Sequence, residues 1–521
     1  MNQQRILIRG GHLLTMDERL GEIHCADILI DSGRIQDIAP NIEVDDALII
    51  DGSDAIVLPG FVDAHRHMWQ TQMRARMGNG TLLDYGAEIR SVFSACYDPD
   101  DVYIGILMGY LDALHAGCTT LIDHCHIMNS LEHSEQAVLA FKDSMARGVF
   151  GYGFFPNPEM HKPDDLQRLF SPADRMAHEA RAIRVKHFSD SGRIRFGTAL
   201  TELEWFPIEH TLRELKLARV LGSHKISIHA GLGSSSQHTR FVERLAKSNA
   251  LAPDLHFVHG WGLSDKELRL LSDAGSSVVA TPETEMQMAM GFPVVGRFRR
   301  EGGRAALGID IVSNNSADMF TQMRLALQTV RGLENASLAR KGLFPDQLSW
   351  STSDILRAAT IDGARALNLD AEVGSLSVGK RADIQMIRKS DINMVPVLNA
   401  TNAVVLSANV SNIDTVMVDG DIVKREGRMV HDDLPLLIQR LKASSSRIHE
   451  RAESFDFPAI RSTVRTLFPV SFKESMEQRF AAAVFNSSSH RLHEWLMKII
   501  MRKVNSPRTR DSRAGAPPPG S

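Results

Sequence analysis

Cysteine is scarce in this sequence of 521 residues, which contains only Cys25, Cys96, Cys118 and Cys125. None of them forms a Cys-x-x-Cys pair, so the pattern argues against a disulfide framework and against a zinc site built from cysteines. Scattered thiols are typical of proteins in a reducing compartment, and we therefore expect a cytoplasmic location.

The sequence also lacks the features of membrane, secreted and nucleic-acid-binding proteins. No apolar run approaches the roughly 18 residues that a membrane helix needs. The first ten residues contain no apolar segment after a basic start, as a secretory signal would. The formal net charge is −4, whereas nucleic-acid-binding domains usually carry a clustered basic excess. We therefore expect a soluble protein whose partner is neither a membrane nor a nucleic acid.

Short strand-like runs separated by glycine-containing turns occur on both sides of a long central region. We predict that residues 1–57 and 376–430 together form one small composite β-sandwich domain. Residues 431–505 have helical patterns and predict a helical C-terminal extension. The final segment, 506–521, is rich in proline, glycine and arginine and predicts a disordered tail.

The central region, 58–375, alternates apolar strand-like runs with helical stretches. Such alternation over about 300 residues predicts a parallel sheet of the α/β class, and this length suits a (β/α)8 TIM barrel. An open, doubly wound sheet is the alternative that the pattern leaves.

The strongest local motif is Pro59-Gly60-Phe61-Val62-Asp63-Ala64-His65-Arg66-His67. Side chains two residues apart on a strand lie on the same face, so His65 and His67 are expected to point the same way. Two imidazoles at this spacing can bind one divalent ion. Two solvated histidines would show the same pattern, so the motif needs support from elsewhere in the chain.

That support comes from the ends of three further strand-like runs, which carry His229, His259 and Asp310. Active sites of TIM barrels lie at the carboxyl ends of the strands. One such residue alone could be a core histidine or an aspartate in a turn. Four strand ends that all offer histidine or aspartate favour a metal site.

These motifs resemble the amidohydrolase superfamily, in particular its cytosine deaminase and chlorohydrolase-like branch. The resemblance extends over residues 4–430 and includes the segments 358–367 and 373–383. It implies that His259 lies beside a metal-bound water or the substrate. It also implies one divalent metal ion with four ligands, His65, His67, His229 and Asp310.

The expected ion is zinc, with iron or manganese as alternatives, because sites of histidine and aspartate accept several metals. The region of the fourth strand, 196–203, has no lysine that could be carbamylated into a metal bridge. We therefore expect one ion rather than two. Family analogy also implies a homodimer.

The predicted activity is that of a metal-dependent hydrolase, similar to a deaminase or amidohydrolase, acting on non-peptide carbon–nitrogen bonds of a small cyclic molecule. A zinc-like ion lowers the pKa of its water towards about 7 and makes hydroxide available at neutral pH. Asp310 is the expected proton acceptor, and His259 is expected to polarise or protonate the substrate. A lyase or decarboxylase on the same metal scaffold and a catalytically inactive, metal-free scaffold protein are the alternatives.

One position departs from the family pattern. Deaminases of this branch usually have a proton-shuttling glutamate three residues after the histidine of the fifth strand, and here Leu232 occupies that position. Leucine cannot transfer a proton, so either another acid serves or the reaction is not an ordinary deamination. Glu283 and Glu285 follow the expected seventh strand, and we predict that one of them enters the pocket and is catalytic. A position in a surface loop is the alternative.

Four further residues are predicted to contact the substrate. Trp69 and Gln70 follow the first histidine pair, and His124 and His126 repeat the His-x-His spacing at the end of the second strand. A second metal site and core packing are the alternatives for His124 and His126.

Overall fold

The computed structural model describes residues 4–155, 157, 174–201, 204–205, 207–465, 471–487 and 489–505. The predicted tail, 506–521, lies outside these residues. Among the described helices, none is both long enough and apolar enough to cross a membrane.

The centre of the molecule is a barrel of eight parallel strands in sequential order. The fold class predicted from the sequence is therefore confirmed. The strands are β6 (Phe61–Arg66), β7 (Cys118–Cys125), β8 (Arg147–Gly153), β9 (Ile194–Ala199), β10 (Ile226–Ala230), β11 (Leu255–His259), β12 (Ser277–Ala280) and β13 (Ala305–Leu307).

The barrel closes between its last and first strands through the backbone just beyond β13. The Asp310 N–H donates to the carbonyl of His65 at 2.9 Å, and the His67 N–H donates to the carbonyl of Asp310 at 2.9 Å. A Cβ atom at Gly308 would lie 2.9 Å from the backbone of His65, so only glycine lets the two chain segments approach this closely. Closure therefore brings Asp310 beside the first histidine pair.

The strands that precede the barrel in the chain and those that follow it form one mixed sheet of nine strands. The two halves meet where β5 pairs with β14 antiparallel and with β1 parallel. The domain boundaries drawn from the sequence remain predictions. The strands of this sheet are β1 (Arg5–Leu14), β2 (Glu22–Asp31), β3 (Arg34–Ala39), β4 (Ala47–Asp51), β5 (Ala55–Pro59), β14 (Ile384–Arg388), β15 (Ile413–Val418), β16 (Asp421–Arg425) and β17 (Arg428–Met429).

Helices connect the barrel strands and continue beyond the mixed sheet. Their first turns are set by local signals such as Asp98 before α2, whose carboxylate accepts the Asp101 N–H at 3.0 Å. The α-helices are α1 (Leu82–Tyr85), α2 (Pro99–His115), α3 (Leu131–Asp143), α4 (Asp174–His187), α5 (Ile208–Val220), α6 (Phe241–Lys247), α7 (Asp265–Asp273), α8 (Pro282–Gln287), α9 (Val295–Arg300), α10 (Met319–Ala339), α11 (Thr352–Ala358), α12 (Ile361–Ala366), α13 (Ala400–Asn402), α14 (Leu434–Ala452), α15 (Phe457–Val464), α16 (Phe472–Phe485) and α17 (His490–Asn505).

Candidate metal centre

Four side chains from three places on the barrel rim converge at its carboxyl end. Asp310 Oδ1 lies 3.2 Å from His65 Nε2 and 3.3 Å from His67 Nε2. His229 Nε2, at the end of β10, lies 3.1 Å from His65 Nε2. All four side chains are buried. The structure thus brings together the four residues for which the sequence predicted a common ion.

The spacing of these donor atoms fits a divalent metal ion. Four ligands of a tetrahedral zinc ion, with bonds of about 2.0–2.1 Å, would lie about 3.3 Å apart. The three measured separations, 3.1, 3.2 and 3.3 Å, match that value. Three imidazole nitrogens and one carboxylate oxygen are also donors that divalent transition metals accept.

The protonation states in this cluster are those that metal ligands need. Burial lowers the pKa of His65 well below its usual range, so its ring is neutral at pH 7. Burial alone would raise the pKa of Asp310, but hydrogen bonds with His65 and His67 hold it well below its usual range. A neutral imidazole and an ionised carboxylate are the forms that coordinate a cation.

The backbone fixes the ring of His67. Its Nδ1 atom lies 2.7 Å from the carbonyl oxygen of His124. A carbonyl only accepts, so Nδ1 must carry the proton and donate it. The lone pair of His67 is therefore on Nε2, the nitrogen that faces Asp310.

The second histidine pair lies against the first. The His126 ring stacks on His67 with a centroid distance of 4.3 Å, and the His124 ring stacks on His229 at 4.3 Å. Donor atoms of His65, His124 and His229 lie within 4.8 Å of one another, as do those of His65, His67 and Asp310. A donor atom of His124 therefore lies close to those of two of the four converging residues.

Each ring of the second pair has a polar partner. His124 Nδ1 lies 3.0 Å from the hydroxyl of Ser227, and His126 Nδ1 accepts the indole N–H of Trp69 at 2.9 Å. Ser227 is not among the residues predicted from the sequence. Its position two residues before His229 on β10, on the same strand face, was the signal that could have found it.

His259 stands at the end of β11 next to a second acidic residue. Its ring stacks on His229 at 5.4 Å, and its Nδ1 lies 3.0 Å from Thr281 Oγ1 and 3.5 Å from Glu285 Oε1. The Thr281 N–H also donates to Glu285 Oε1 at 2.9 Å. Thr281 is a residue that sequence reasoning missed, although it directly follows β12.

The environment of Glu285 favours its protonated form. The residue is fully buried, and burial raises the pKa of its carboxyl above the usual range. Its Oε2 atom has no hydrogen-bond partner among the described residues.

The backbone at two of these strand ends is in the left-handed region. His259 has a φ of 79° and Asp310 a φ of 72°. Residues with a Cβ atom rarely adopt this conformation, and where they do it is often at functional sites. These two positions are those of the predicted proton acceptor, Asp310, and of the residue predicted to polarise or protonate the substrate, His259.

Glu283 and Gln70 have partners elsewhere. The Glu283 carboxylate accepts hydrogen bonds from the backbone and hydroxyl of Ser316 and from Gln322 Nε2. Gln70 donates to the Tyr85 hydroxyl at 2.7 Å and accepts from the Ser313 hydroxyl at 3.0 Å. Neither side chain contacts the four converging donors through these bonds, and their catalytic and substrate-binding roles remain predictions.

Leu232 lies in a small apolar cluster at the barrel mouth. Met288, Met290 and Ile311 form the buried part of the cluster, and Leu232 packs against them together with Leu82 and Tyr85. These residues belong to segments that follow four different barrel strands. Leu232, at the position where related deaminases have the shuttling glutamate, is therefore surrounded by other apolar side chains.

Comparison with known proteins places this site in a family. The model of the amidohydrolase family matches residues 56–423. A protein from Methanosphaera stadtmanae named 5'-deoxyadenosine deaminase is 26% identical over 422 residues, covering 78% of this chain and 92% of that protein. A protein from Syntrophus aciditrophicus named 5-methylthioadenosine/S-adenosylhomocysteine deaminase 1 is 27% identical over 472 residues, covering 85% and 97%.

Solved structures share the fold. An adenosine deaminase from Xanthomonas campestris with bound zinc superposes with a TM-score of 0.74 at 22% identity, covering 85% of this chain and 98% of the other. An atrazine chlorohydrolase from Arthrobacter aurescens TC1 complexed with zinc gives a TM-score of 0.74 at 20% identity, covering 84% and 100%. The family match spans more than half of the chain and includes every converging donor. This chain belongs to the amidohydrolase family, which confirms the sequence prediction of a hydrolase of the kind that acts on non-peptide carbon–nitrogen bonds.

Proposed function

We propose that this protein removes an amino group from a small heteroaromatic or cyclic amidine ring by hydrolysis. The relatives at 24–27% identity are named as deaminases of adenosine derivatives, and this supports an amino-substituted ring as the substrate class. The products are ammonia and the corresponding ring carbonyl compound.

The proposed cofactor is one zinc ion held by His65, His67, His229 and Asp310. The observation that carries this proposal is the separation of 3.1–3.3 Å between donor atoms that come from distant parts of the chain. Two relatives of the same fold are described with zinc. Bound at such a site, zinc lowers the pKa of water towards about 7 and so supplies hydroxide near neutral pH.

Asp310 is the proposed proton acceptor. Its carboxylate is ionised, since the pKa is held well below the usual range, and it lies at the strand end where the other donors meet. A carboxylate at this point can take the proton of the attacking water and pass it to the departing amino group.

His259, Thr281 and Glu285 form the proposed acid side of the site. His259 Nδ1 faces Thr281 Oγ1 and Glu285 Oε1, which orients the ring and directs its Nε2 atom away from them. We propose that Nε2 polarises the ring atom that is attacked, and that Glu285 holds the proton that the usual shuttling glutamate would hold. The raised pKa of Glu285 supports this assignment, as does the apolar packing of Leu232.

His124 and His126 are the proposed substrate contacts, because both rings stack on metal-site histidines and are buried at the same end of the barrel. Trp69 and Gln70 remain predicted contacts. The Trp69 indole N–H is taken by His126, so a substrate contact of Trp69 would be made by the face of its ring. Gln70 uses one amide N–H on Tyr85 and one carbonyl lone pair on Ser313, and a second N–H of the same amide could serve a substrate. A homodimer and a cytoplasmic location remain expectations.

The test combines metal analysis with a substrate panel. Zinc-loaded protein is offered adenosine, 5'-deoxyadenosine, 5'-methylthioadenosine, cytosine and amino-substituted triazines, and ammonia release is measured. We expect about one zinc per chain and ammonia from at least one compound, with neither in His67→Asn. Metal-free native protein would contradict the metal site. Stoichiometric zinc without ammonia from any compound would contradict the deaminase proposal and favour the lyase alternative.

A further inference from the structure

The helix α14 lies beyond the part of the chain that the family model matches, which ends at residue 423. It packs on α2 and on the turn Met68–Met73, the segment that directly follows the first histidine pair. The turn is therefore held between two helices, one inside the family match and one outside it.

Glycines of α2 allow the turn to lie close to that helix. A Cβ atom at Gly105 would clash with the side-chain amide of Gln72, and one at Gly109 would lie 2.9 Å from Thr71 Oγ1. Larger residues at these positions would displace the turn, so the two glycines are what allow it to pack directly on α2.

Two serines of α14 bind the turn from the other side. Ser445 Oγ donates to the carbonyl of Gln72 at 2.9 Å, and Ser444 Oγ accepts from Gln72 Nε2 at 3.0 Å. Ser444 Oγ donates in turn to Asp101 Oδ1 at 2.7 Å. Ser444 and Asp101 are both fully buried, so the bond between them is shielded from water.

Ion pairs fix α14 in this position. Arg447 and Arg451 each lie 2.7 Å from a carboxylate oxygen of Asp101, and Arg451 also donates to Asp98 at 2.8 Å. A buried carboxylate needs such partners, since an unpaired charge in the interior is costly. The same Asp101 thus serves both the serine network and the arginines.

Trp69, which lies in this turn, connects it to the histidines of the proposed active site. Tyr97 donates from its hydroxyl to the Trp69 carbonyl at 2.9 Å, and the Trp69 indole N–H donates to His126 Nδ1 at 2.9 Å. An indole N–H can only donate, so Nδ1 of His126 carries a lone pair and the ring proton is on Nε2. The His126 ring stacks on His67.

From this chain of contacts we infer that Ser444 and Ser445 are positioning residues, through which the C-terminal extension holds Trp69 and fixes His126 as an Nε2–H donor towards the substrate. The last step, towards the substrate, rests on the proposed function. The positioning itself does not, because it concerns only contacts within the chain.

The test follows the Trp69 indole N–H in full-length, zinc-loaded protein labelled with 15N at its tryptophans. The chain has five tryptophans, and the Trp69 resonance is assigned by its loss in Trp69→Phe. The variants are Ser445→Ala alone and Ser444→Ala combined with Ser445→Ala. The matched control is Ser446→Ala, on the exposed side of the same helix, whose hydroxyl donates to the backbone carbonyl of Lys442 one turn earlier.

We expect the indole N–H to exchange with solvent about tenfold faster in the double variant, the effect of roughly two lost hydrogen bonds. Ser445→Ala alone should give a smaller increase, so the test still holds if the double variant fails to fold. Ser446→Ala should match the native protein, and Ser445→Thr should restore slow exchange.

Exchange within twofold of the native rate in both alanine variants would overturn the inference. A protein that releases no ammonia from any compound would contradict the proposed function and leave this measurement intact. With an active substrate, we expect kcat to fall in Ser445→Ala and to recover in Ser445→Thr. An unchanged kcat beside faster exchange would overturn the step from His126 to the substrate.

Discussion

Two His-x-His pairs follow adjacent strands of the barrel, and the structure gives them different neighbours. His65 and His67, at the end of β6, direct their Nε2 atoms at Asp310. In the second pair, at the end of β7, one ring faces a serine hydroxyl and the other an indole N–H. The same spacing in sequence therefore leads to a metal-type donor set in one region and to a hydrogen-bonded histidine pair in the other.

The difference comes from the strand next to each pair. The first pair borders β13, and barrel closure places Asp310 beside it through two backbone hydrogen bonds. The second pair borders β8, whose last residues, Gly151–Gly153, supply no histidine or carboxylate. In a closed barrel each strand borders two others, so the residues that surround a motif at a strand end depend on which strands lie beside it.

A third pair of residues has the same spacing but lies on a helix, where the two side chains are separated. Glu283 and Glu285 are also two residues apart, but they lie on α8. Residues at this spacing point in nearly opposite directions on a helix because each residue turns by about 100°. Glu285 accordingly lies beside His259, whereas Glu283 ties α8 to Ser316 and Gln322.

The largest expected effect separates the two histidine pairs. We expect His67→Asn to lose its bound metal and at least about a thousand-fold of turnover, since the ion supplies several kcal/mol of transition-state stabilisation. His126→Asn should keep about one metal ion per chain and lose about 10–100-fold of turnover, because a proposed contact that orients the substrate is lost. Elemental analysis and initial rates measure both. Equal metal loss in the two variants would break the distinction between the pairs.

The next effect separates the two glutamates of α8. We expect Glu285→Gln to lower turnover by about a hundredfold, because a group that holds a proton in the transition state contributes on this scale. Glu283→Gln should change turnover far less and should mainly lower the thermal stability of the α8 region. Both variants should keep their metal. Full turnover in Glu285→Gln would remove it from the proposed acid side, and a larger loss in Glu283→Gln would reverse the assignment.

Much of the barrel could be predicted because each strand end carries its own local signal. The alternation of apolar runs and helices predicts the fold class, and His65, His67, His229 and Asp310 each stand at the end of such a run. Strand ends in a parallel barrel meet on one rim, so residues far apart in sequence can be assigned to one site without knowing any distance.

The partners of these residues could not be predicted in the same way. Ser227, Thr281 and Trp69 acquire their roles from which ring lies opposite them, and this depends on register and side-chain direction. The contact between α14 and Gln72 joins residues more than 370 positions apart. No local pattern encodes such a contact, because it follows from tertiary packing alone.

A smaller effect tests the claim that barrel closure creates the donor set. We expect Gly308→Ala to destabilise the protein by about 1–3 kcal/mol, because the added Cβ atom would lie 2.9 Å from the backbone of His65. Displacement of Asp310 should also weaken zinc binding. The control is Gly332→Ala in α10, where a Cβ atom would meet nothing within 4 Å. That change should be neutral or stabilising, since alanine favours helices. Unchanged zinc affinity in Gly308→Ala would show that closure does not set the donor geometry.

The smallest effect concerns the second pair alone. Ser227→Ala removes the hydroxyl that lies 3.0 Å from His124 Nδ1, and we expect it to lower the free energy of unfolding by about 1 kcal/mol. Zinc content should not change, because Ser227 contacts no proposed ligand through this bond. Turnover should fall by at most about tenfold if His124 needs a fixed ring to contact the substrate.

Ser223→Ala provides the comparison, because its hydroxyl bonds to Thr198 at 3.0 Å and not to a histidine. A loss of stability in both variants, with slower turnover only in Ser227→Ala, would show that the second pair acts on the substrate. Slower turnover with loss of zinc in Ser227→Ala would instead make His124 part of the metal site, and the two pairs would then form one ligand set.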